Sequence, residues 1–313
     1  CMLYMYKYIT IMNSKYILDK ARKKVSAIVL DYDGTIFEAH HPIYTHEKAI
    51  DLLFRIIQGN KIPIVITARD ASFRKDVLAK IQPRLQINQI LYFASGNGSS
   101  LEKIFQTHSK ILYQHLLIKS QVQRILSAYN NTVQKMKLHR DDFKDSSLNV
   151  FLEFLREPDQ WMKFVAHDNF QISTSYSGRV FIEYSKVSFV LPRDIHVQNE
   201  FVSALSHTLL PDFNLKGDGS FLHVSRKILK KGKDVDGKLL ALKTALSDSR
   251  LTKDRVAVFG DSPDGNDKDM LRFSPFSFTN KSNHKLQYKL PHILIGNTHP
   301  IHRIHSAVLS LIQ

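Results

Sequence analysis

A single cysteine, Cys1, stands in 313 residues, so neither an internal disulfide framework nor a cysteine-based zinc site can form. That scarcity fits a reducing, cytoplasmic setting. Long apolar runs are also missing. Residues 1 to 13 are apolar and aromatic but are interrupted by Lys7 and too short to span a bilayer. They lack the basic start and small-residue cleavage site of a secretory signal, and no transmembrane segment is expected elsewhere. The histidines are scattered, with no H-E-x-x-H pair. No nucleic-acid-binding motif and no regular alternation of aromatic and basic residues is present, so no specific nucleic-acid partner is expected. Negative charge is in deficit: Lys and Arg outnumber Asp and Glu by 44 to 29, a formal charge of +15. Such a balance draws in anionic partners at long range whatever the fold.

What is present is ample core material. Hydrophobic residues make up 43% of the chain, enough to bury one large core or two smaller ones. The basic cluster Lys20-Ala21-Arg22-Lys23-Lys24 reads as a solvated helix end just ahead of the first core strand. Ala27-Ile28-Val29-Leu30 then runs into Asp31-Tyr32-Asp33-Gly34-Thr35, the pattern of a buried parallel strand opening into a loop at its C-terminal end. Asp31 and Asp33 point to opposite faces of an extended backbone unless the chain leaves the strand between them, and Gly34 lets it leave. Two carboxylates at a strand end suit a hard cation such as Mg²⁺, or a nucleophile with an acid/base partner.

Apolar spacing predicts a helix over residues 47–58, closed by Gly59-Asn60, then a strand over 62–66 running into Thr67-Ala68-Arg69-Asp70 and a helix through Phe73, Val77, Leu78 and Ile81. Strand and helix in alternation predict an α/β fold with a doubly wound, Rossmann-like parallel sheet. Thr67 is placed to offer a hydroxyl to a phosphate near Asp31, or else to cap the following helix, and Arg69 to grip that phosphate bidentately. A third strand over 89–94 leads to Ser95-Gly96-Asn97-Gly98.

From about residue 103 to 225 the pattern changes. Period-two stretches at 110–114, 180–184, 188–191 and 221–224 flank amphipathic helices around 116–138 and 195–210, which reads as a separate α+β domain. Within it, His139-Arg140-Asp141 lacks the companions of a kinase catalytic loop. Gly217-Asp218-Gly219 reads as a turn. The strand-helix rhythm then returns: a helix over 233–246, a buried strand over 255–259, edge strands over 276–280 and 293–295, and a closing helix over 301–312. The 255–259 strand discharges into Gly260-Asp261-Ser262-Pro263-Asp264-Gly265-Asn266-Asp267-Lys268-Asp269. Acids so close together repel unless a cation relieves them, and the spacing is not that of an EF-hand. His299, His302 and His305 read as an exposed polar helix face rather than as metal ligands.

The series D-Y-D-G-T, T-A-R, K-G and G-D-S-P-D-G-N-D-K-D-M-L, each after or beside a core strand, resembles the haloacid dehalogenase superfamily of phosphohydrolases. The long insert is similar to the α+β cap of the subgroup that includes sugar-phosphate and sucrose-phosphate phosphatases. The resemblance implies an N-terminal extension over 1–24, a catalytic core over 25–102 and 226–313, and a cap over 103–225. It implies a Mg²⁺-dependent phosphoric monoester hydrolase acting on a small phosphorylated metabolite, a sugar phosphate being the leading class. Asp31 would be the nucleophile that forms an aspartyl-phosphate, and Asp33 the general acid/base. Thr67 and a lysine would bind the phosphoryl oxygens, with Arg69 behind them. Asp261 would hold Mg²⁺ with Asp31 and the backbone carbonyl of Asp33, while Asn266 and Asp267 support the site.

Two departures leave choices open. Four residues separate G-D from N-D where the family normally has two, so Asp264 competes with Asp267 for the ligand position. Lys230, Lys231 and Lys233 compete for the single lysine. Lys231 is preferred because Gly232 follows it and lets the backbone approach a phosphate; Lys238, deep in a helix that starts near Lys233, is expected not to reach. Two further functions stay in view: a basic protein binding nucleic acid or an acidic surface on the same fold, and a phosphotransferase using an acceptor other than water.

Overall fold

The structure is a computed structural model and describes residues 14–39, 41–69, 77–144, 180–182, 185–218, 221–230, 233–281, 292–294 and 297–313. The chain divides into two compact units, one formed by Cys1–Gln114 with Val235–Gln313 and the other by His115–Asp234.

The first unit begins with helix α1 (residues 14–24), β1 (Ala27–Asp31), α2 (His46–Gln58) and β2 (Ile62–Ile66). A helical stretch over residues 77–81, α3, precedes β3 (Leu91–Ser95), β4 (Ser100–Ile104) and β5 (Ser109–Gln114). After the second unit the chain returns with α6 (Gly237–Asp248), β12 (Val256–Phe259), α7 (Lys268–Leu271), β13 (Phe276–Thr279), β14 (His292–Ile293) and α8 (Pro300–Ile312). The eight strands form one sheet in the order β14-β13-β12-β1-β2-β3-β4-β5. Pairing is parallel from β14 through β3 and antiparallel for the last two strands.

Strand alternation sorts the side chains onto two helical layers. Ile28 and Leu30 of β1 join Ala21 of α1, Ile50, Leu53 and Ile57 of α2, and Ile304, Val308 and Leu311 of α8. Ala27 and Val29 face the other way, toward Ala241, Leu242 and Ala245 of α6 and Met270 and Leu271 of α7. Both faces are therefore covered, which is why the strands read as continuous apolar runs. Alternation also assigns Asp31, the next odd residue of β1, to the α6 face. The strand order runs outward from β1 in both directions, so a crevice opens between the C-terminal ends of β1 and β12, the usual ligand position of such sheets.

The second unit holds α4 (Lys119–Lys135), β6 (Val180–Ile182), β7 (Lys186–Val190), α5 (Ile195–Leu209), β8 (Phe213–Asp218) and β9 (Phe221–Arg226). A short hairpin of β10 (Leu229–Lys230) and β11 (Lys233–Asp234) ends it. The antiparallel sheet β6-β7-β9-β8 packs Val187, Phe189, Leu222 and Val224 against Tyr129 and Phe201 from the two helices.

Several boundaries differ from expectation. The core continues to Gln114 rather than 102, because Leu101 and Ile104 of β4 pack on the sheet although the strand's alternation resembles that of the insert. It resumes at Val235 rather than 226. Part of the expected N-terminal extension is α1, which inserts Ala21 into the core and leaves the basic residues 22–24 exposed, as a solvated helix end. Of the two strands expected at an edge, β13 is interior and β14 lies at the edge. The helix expected from Lys233 starts at Gly237, where Asp236 caps it by accepting from the Leu239 amide at 2.9 Å.

The turn Gly96-Asn97-Gly98 braces that helix start. Gly98 has φ +81, and a Cβ there would lie 2.1 Å from the carbonyl oxygen of Gly237. Gly98→Ala should therefore cost at least ~2 kcal/mol in a chemical-denaturation measurement; unchanged stability would show that the turn yields without moving α6.

Candidate active site

The C-terminal ends of β1, β2, β12 and β13 converge with the first turn of α6. Beyond Asp31 the chain turns sharply: the Tyr32 carbonyl accepts from the amides of Thr35, Ile36 and Phe37 at 3.4, 3.0 and 3.1 Å. Gly34 enables this turn with φ +72, and its missing Cβ leaves space for Asp261, whose Oδ2 would lie 2.5 Å from one.

Asp31 is buried and receives two donors: Lys238 Nζ gives to Oδ1 at 2.6 Å and Thr35 Oγ1 to Oδ2 at 3.2 Å. Lys238 also donates to Asp267 Oδ1 at 2.7 Å, and neither partner in that contact meets solvent. The second oxygen of Asp267 accepts from the Ser262 amide at 3.0 Å. Asp261 is held by Lys281 Nζ at 2.7 Å. Carboxylate oxygens of Asp31, Asp261 and Asp267 lie within 4.8 Å of one another.

One buried ammonium thus serves a surplus of acids. Burial, and then the charge of Asp267, push the Asp31 carboxyl well above the usual carboxylate range against the pull of Lys238. Burial raises Asp261 likewise, with Lys281 opposing. Burial alone would drive the Lys238 ammonium down, but Asp31 and Asp267 together hold it above its ordinary range. An all-oxygen donor set with excess negative charge fits a hard divalent cation, so Asp31, Asp261 and Asp267 are suited to hold Mg²⁺.

The two open choices now have geometry. Asp267 is buried within the cluster while Asp264 is exposed. The additional residues form a turn in which the amides of Gly265 and Asp267 both donate to the Ser262 carbonyl, and this folds Asp267 back inward. Asn266 lies half-buried in the same turn. The lysine that reaches the acids is Lys238, contrary to expectation. Because α6 starts at Gly237, Lys238 sits in its first turn and on the face toward β1. Asp236 followed by Leu239-Leu240 was the available signal, a capping acid ahead of an apolar run. Lys231 and Gly232 lie outside the described residues; Lys230 and Lys233 belong to the β10–β11 hairpin.

Thr67 is fully buried at the end of β2 and its Oγ1 accepts from the Arg69 amide at 3.0 Å. The Arg69 guanidinium forks onto Asp33, with Nε 3.0 and 2.9 Å from the two carboxylate oxygens and Nη2 2.6 Å from Oδ1. Asp70 lies outside the described residues.

A second group of candidate ligands brings Glu38, His41 and His299 together. His41 Nδ1 already accepts from the amides of Ile43 and Tyr44, which puts its neutral-state proton on Nε2 and removes it as a ligand. The rings of His41, Tyr44 and His299 pack together with centroids 4.6 to 4.8 Å apart, Tyr44 stacked on His299 and His41 tilted against both. His305 is buried and bonded to the Ile36 carbonyl at 3.0 Å. These histidines fasten α8 to the loop after β1; only the exposed His302 matches the expected solvated face.

A family model described as haloacid dehalogenase-like hydrolase matches residues 28–294. The chain belongs to that family. Among solved structures, this hydrolase is similar to a HAD/COF-like hydrolase from Plasmodium vivax, at 15% identity over 94% of this chain and 98% of that one with a TM-score of 0.59. A haloacid dehalogenase-like hydrolase from Bacteroides thetaiotaomicron matches at 17% identity over 84% and 91% with a TM-score of 0.54. A HAD subclass IIB sugar phosphatase matches at 15% identity over 84% and 90% with a TM-score of 0.50. At these identities the likeness is one of fold. No curated protein matches the chain. No helix among the described residues is long and apolar enough to cross a membrane.

Removal of the shared ammonium should be costly. Lys238→Met leaves buried carboxylates without a counter-charge and should lower unfolding free energy by about 3 kcal/mol, read by urea denaturation. A variant as stable as the parent would show that the acids tolerate each other unaided.

Proposed function

We propose that this hydrolase is a Mg²⁺-dependent phosphatase of a small phosphorylated metabolite, with a sugar phosphate as the leading substrate class. The observation that carries the reading is the buried Lys238 ammonium set between Asp31 and Asp267 beside Asp261. A carboxylate attacks an anionic phosphoryl group only where positive charge offsets their repulsion, and phosphoryl transfer is mainly positioning and charge neutralisation. Mg²⁺ held by Asp31, Asp261, Asp267 and the main-chain carbonyl of Asp33 would supply the remaining positive charge. The phosphate-ester class also agrees with the sugar phosphatase among the structures of like fold, and the single cysteine with a cytoplasmic location.

The residues divide the work. An Asp31 carboxylate oxygen attacks phosphorus and the bond to the leaving oxygen breaks, while Asp33 gives that oxygen a proton. Asp33 then takes a proton from water, whose oxygen attacks phosphorus; the bond to Asp31 breaks and inorganic phosphate leaves. Lys238 takes the role expected of Lys231. Two of its three protons go to Asp31 and Asp267, which leaves one for a phosphoryl oxygen. Thr67 accepts from a backbone amide through Oγ1, so its own proton is free to point at the phosphate. Asn266 is retained as a supporting contact.

Asp31→Asn should abolish turnover in a protein that still folds, checked by phosphate release alongside a melting curve. Steady-state hydrolysis by the pure variant would remove Asp31 from the nucleophile's role. EDTA should also abolish activity and Mg²⁺ restore it, with Ca²⁺ a poor substitute because its looser and higher coordination misaligns the nucleophile. Full activity in chelator would sink the metal requirement.

A further inference from the structure

The register of the two central strands determines where their loops emerge. β1 and β2 are parallel, with Asp31 opposite Ile66, so the chains leave the sheet side by side, and Asp33 and Arg69, two and three residues past that pair, meet just beyond it. Arg69 is tightly built there. Its amide donates to Thr67 Oγ1 at 3.0 Å and its carbonyl accepts from the Gly96 amide at 2.7 Å. Its guanidinium lies over the Phe37 ring at 4.8 Å and near the Tyr32 ring at 5.9 Å. Only 21% of the arginine side chain is exposed, against 44% of the Asp33 side chain.

That asymmetry bears on the arginine's purpose. A carboxylate as open as that of Asp33 is solvated by water and needs no protein partner for burial, and left alone it samples several rotamers. A planar fork fixes both oxygens at once, which a point charge cannot do. Arg69 was expected to grip the substrate phosphate, yet its fork is spent on the neighbouring acid. We infer that Arg69 is the positioning residue of Asp33, holding the acid/base carboxylate in the place from which it protonates the leaving group. The inference rests on the phosphatase reading above and adds a residue to it.

The two roles for Arg69 separate by leaving group. Protonation of the departing oxygen matters greatly for a sugar alkoxide and little for p-nitrophenolate, which leaves readily as an anion. The parameter kcat/KM covers only steps up to departure of the leaving group, so later hydrolysis of the aspartyl-phosphate does not obscure it. Wild type, Arg69→Ala and Arg69→Lys are assayed with Mg²⁺ on a hexose phosphate and on p-nitrophenyl phosphate, with melting curves for each protein. Loss of a positioned acid should lower kcat/KM of Arg69→Ala for the hexose phosphate by on the order of a hundredfold. The value for p-nitrophenyl phosphate should stay about the same. Arg69→Lys should recover the hexose-phosphate loss only in part, and it decides the comparison if Arg69→Ala does not fold. Adding Arg69→Ala to Asp33→Asn should bring no further loss on the hexose phosphate, because both changes remove one function. Equal losses on the two substrates, or full additivity with Asp33→Asn, would make Arg69 a phosphate ligand and overturn the inference alone. A wild-type protein inactive on both substrates would instead remove the phosphatase reading, and the inference with it.

Discussion

The contact between Lys238 and the carboxylates of Asp31 and Asp267 governs the structure around it. A buried charge is tolerable only when paired and hydrogen-bonded, so the sheet must bring the end of β1, the turn after β12 and the first turn of α6 to one point. Each element has a local device for arriving there. Gly34 bends the chain where Asp261 leaves no room for a Cβ, and Gly98 lets the start of α6 press against the 96–98 turn. Asp236 fixes the helix start so that its second residue faces β1. The balance of charge remains negative, since two ammonium groups serve three clustered acids and one of these ammonium groups, that of Lys281, is exposed. The site is folded yet carries an excess of negative charge, which a hard cation would offset.

Much of this was legible because the parallel strands are covered on both faces. Their apolar runs, and the loops that end in Asp31, Thr67 and Asp261, stand out without knowledge of tertiary contacts; β2 runs over 62–66 as expected. The closing helix was equally plain from its spacing. That Lys238 would reach the acids was missed for a local cause. Lys230-Lys231-Gly232 looks like a phosphate loop and the apolar pattern from Lys233 is ambiguous, whereas the true helix start is marked only by the capping acid at 236. The junction with the insert was missed for a related reason. β4 and β5 are antiparallel additions to a parallel sheet, so their alternation matches the inserted unit rather than the core. The fork from Arg69 to Asp33 depends on the register of β1 and β2 and on the Phe37 ring beneath it, neither of which one-dimensional spacing reveals.

The same two-sided burial has a consequence during synthesis. Asp31 and Lys238 are separated by 207 positions, and the whole inserted unit is made between them. Chains emerge from the N-terminus, and long-range pairings are the slow ones. β1, β2 and β3 therefore exist before any residue of α6 does. Until that helix arrives, Ala27, Val29, Ile64, Ile66, Tyr92 and Ala94 form an apolar face with nothing to cover it. Asp31 waits at its edge without its ammonium partner. A sheet formed at that stage would have one face open to solvent. The helix that brings Lys238 to the acid cluster is the same one that covers this face.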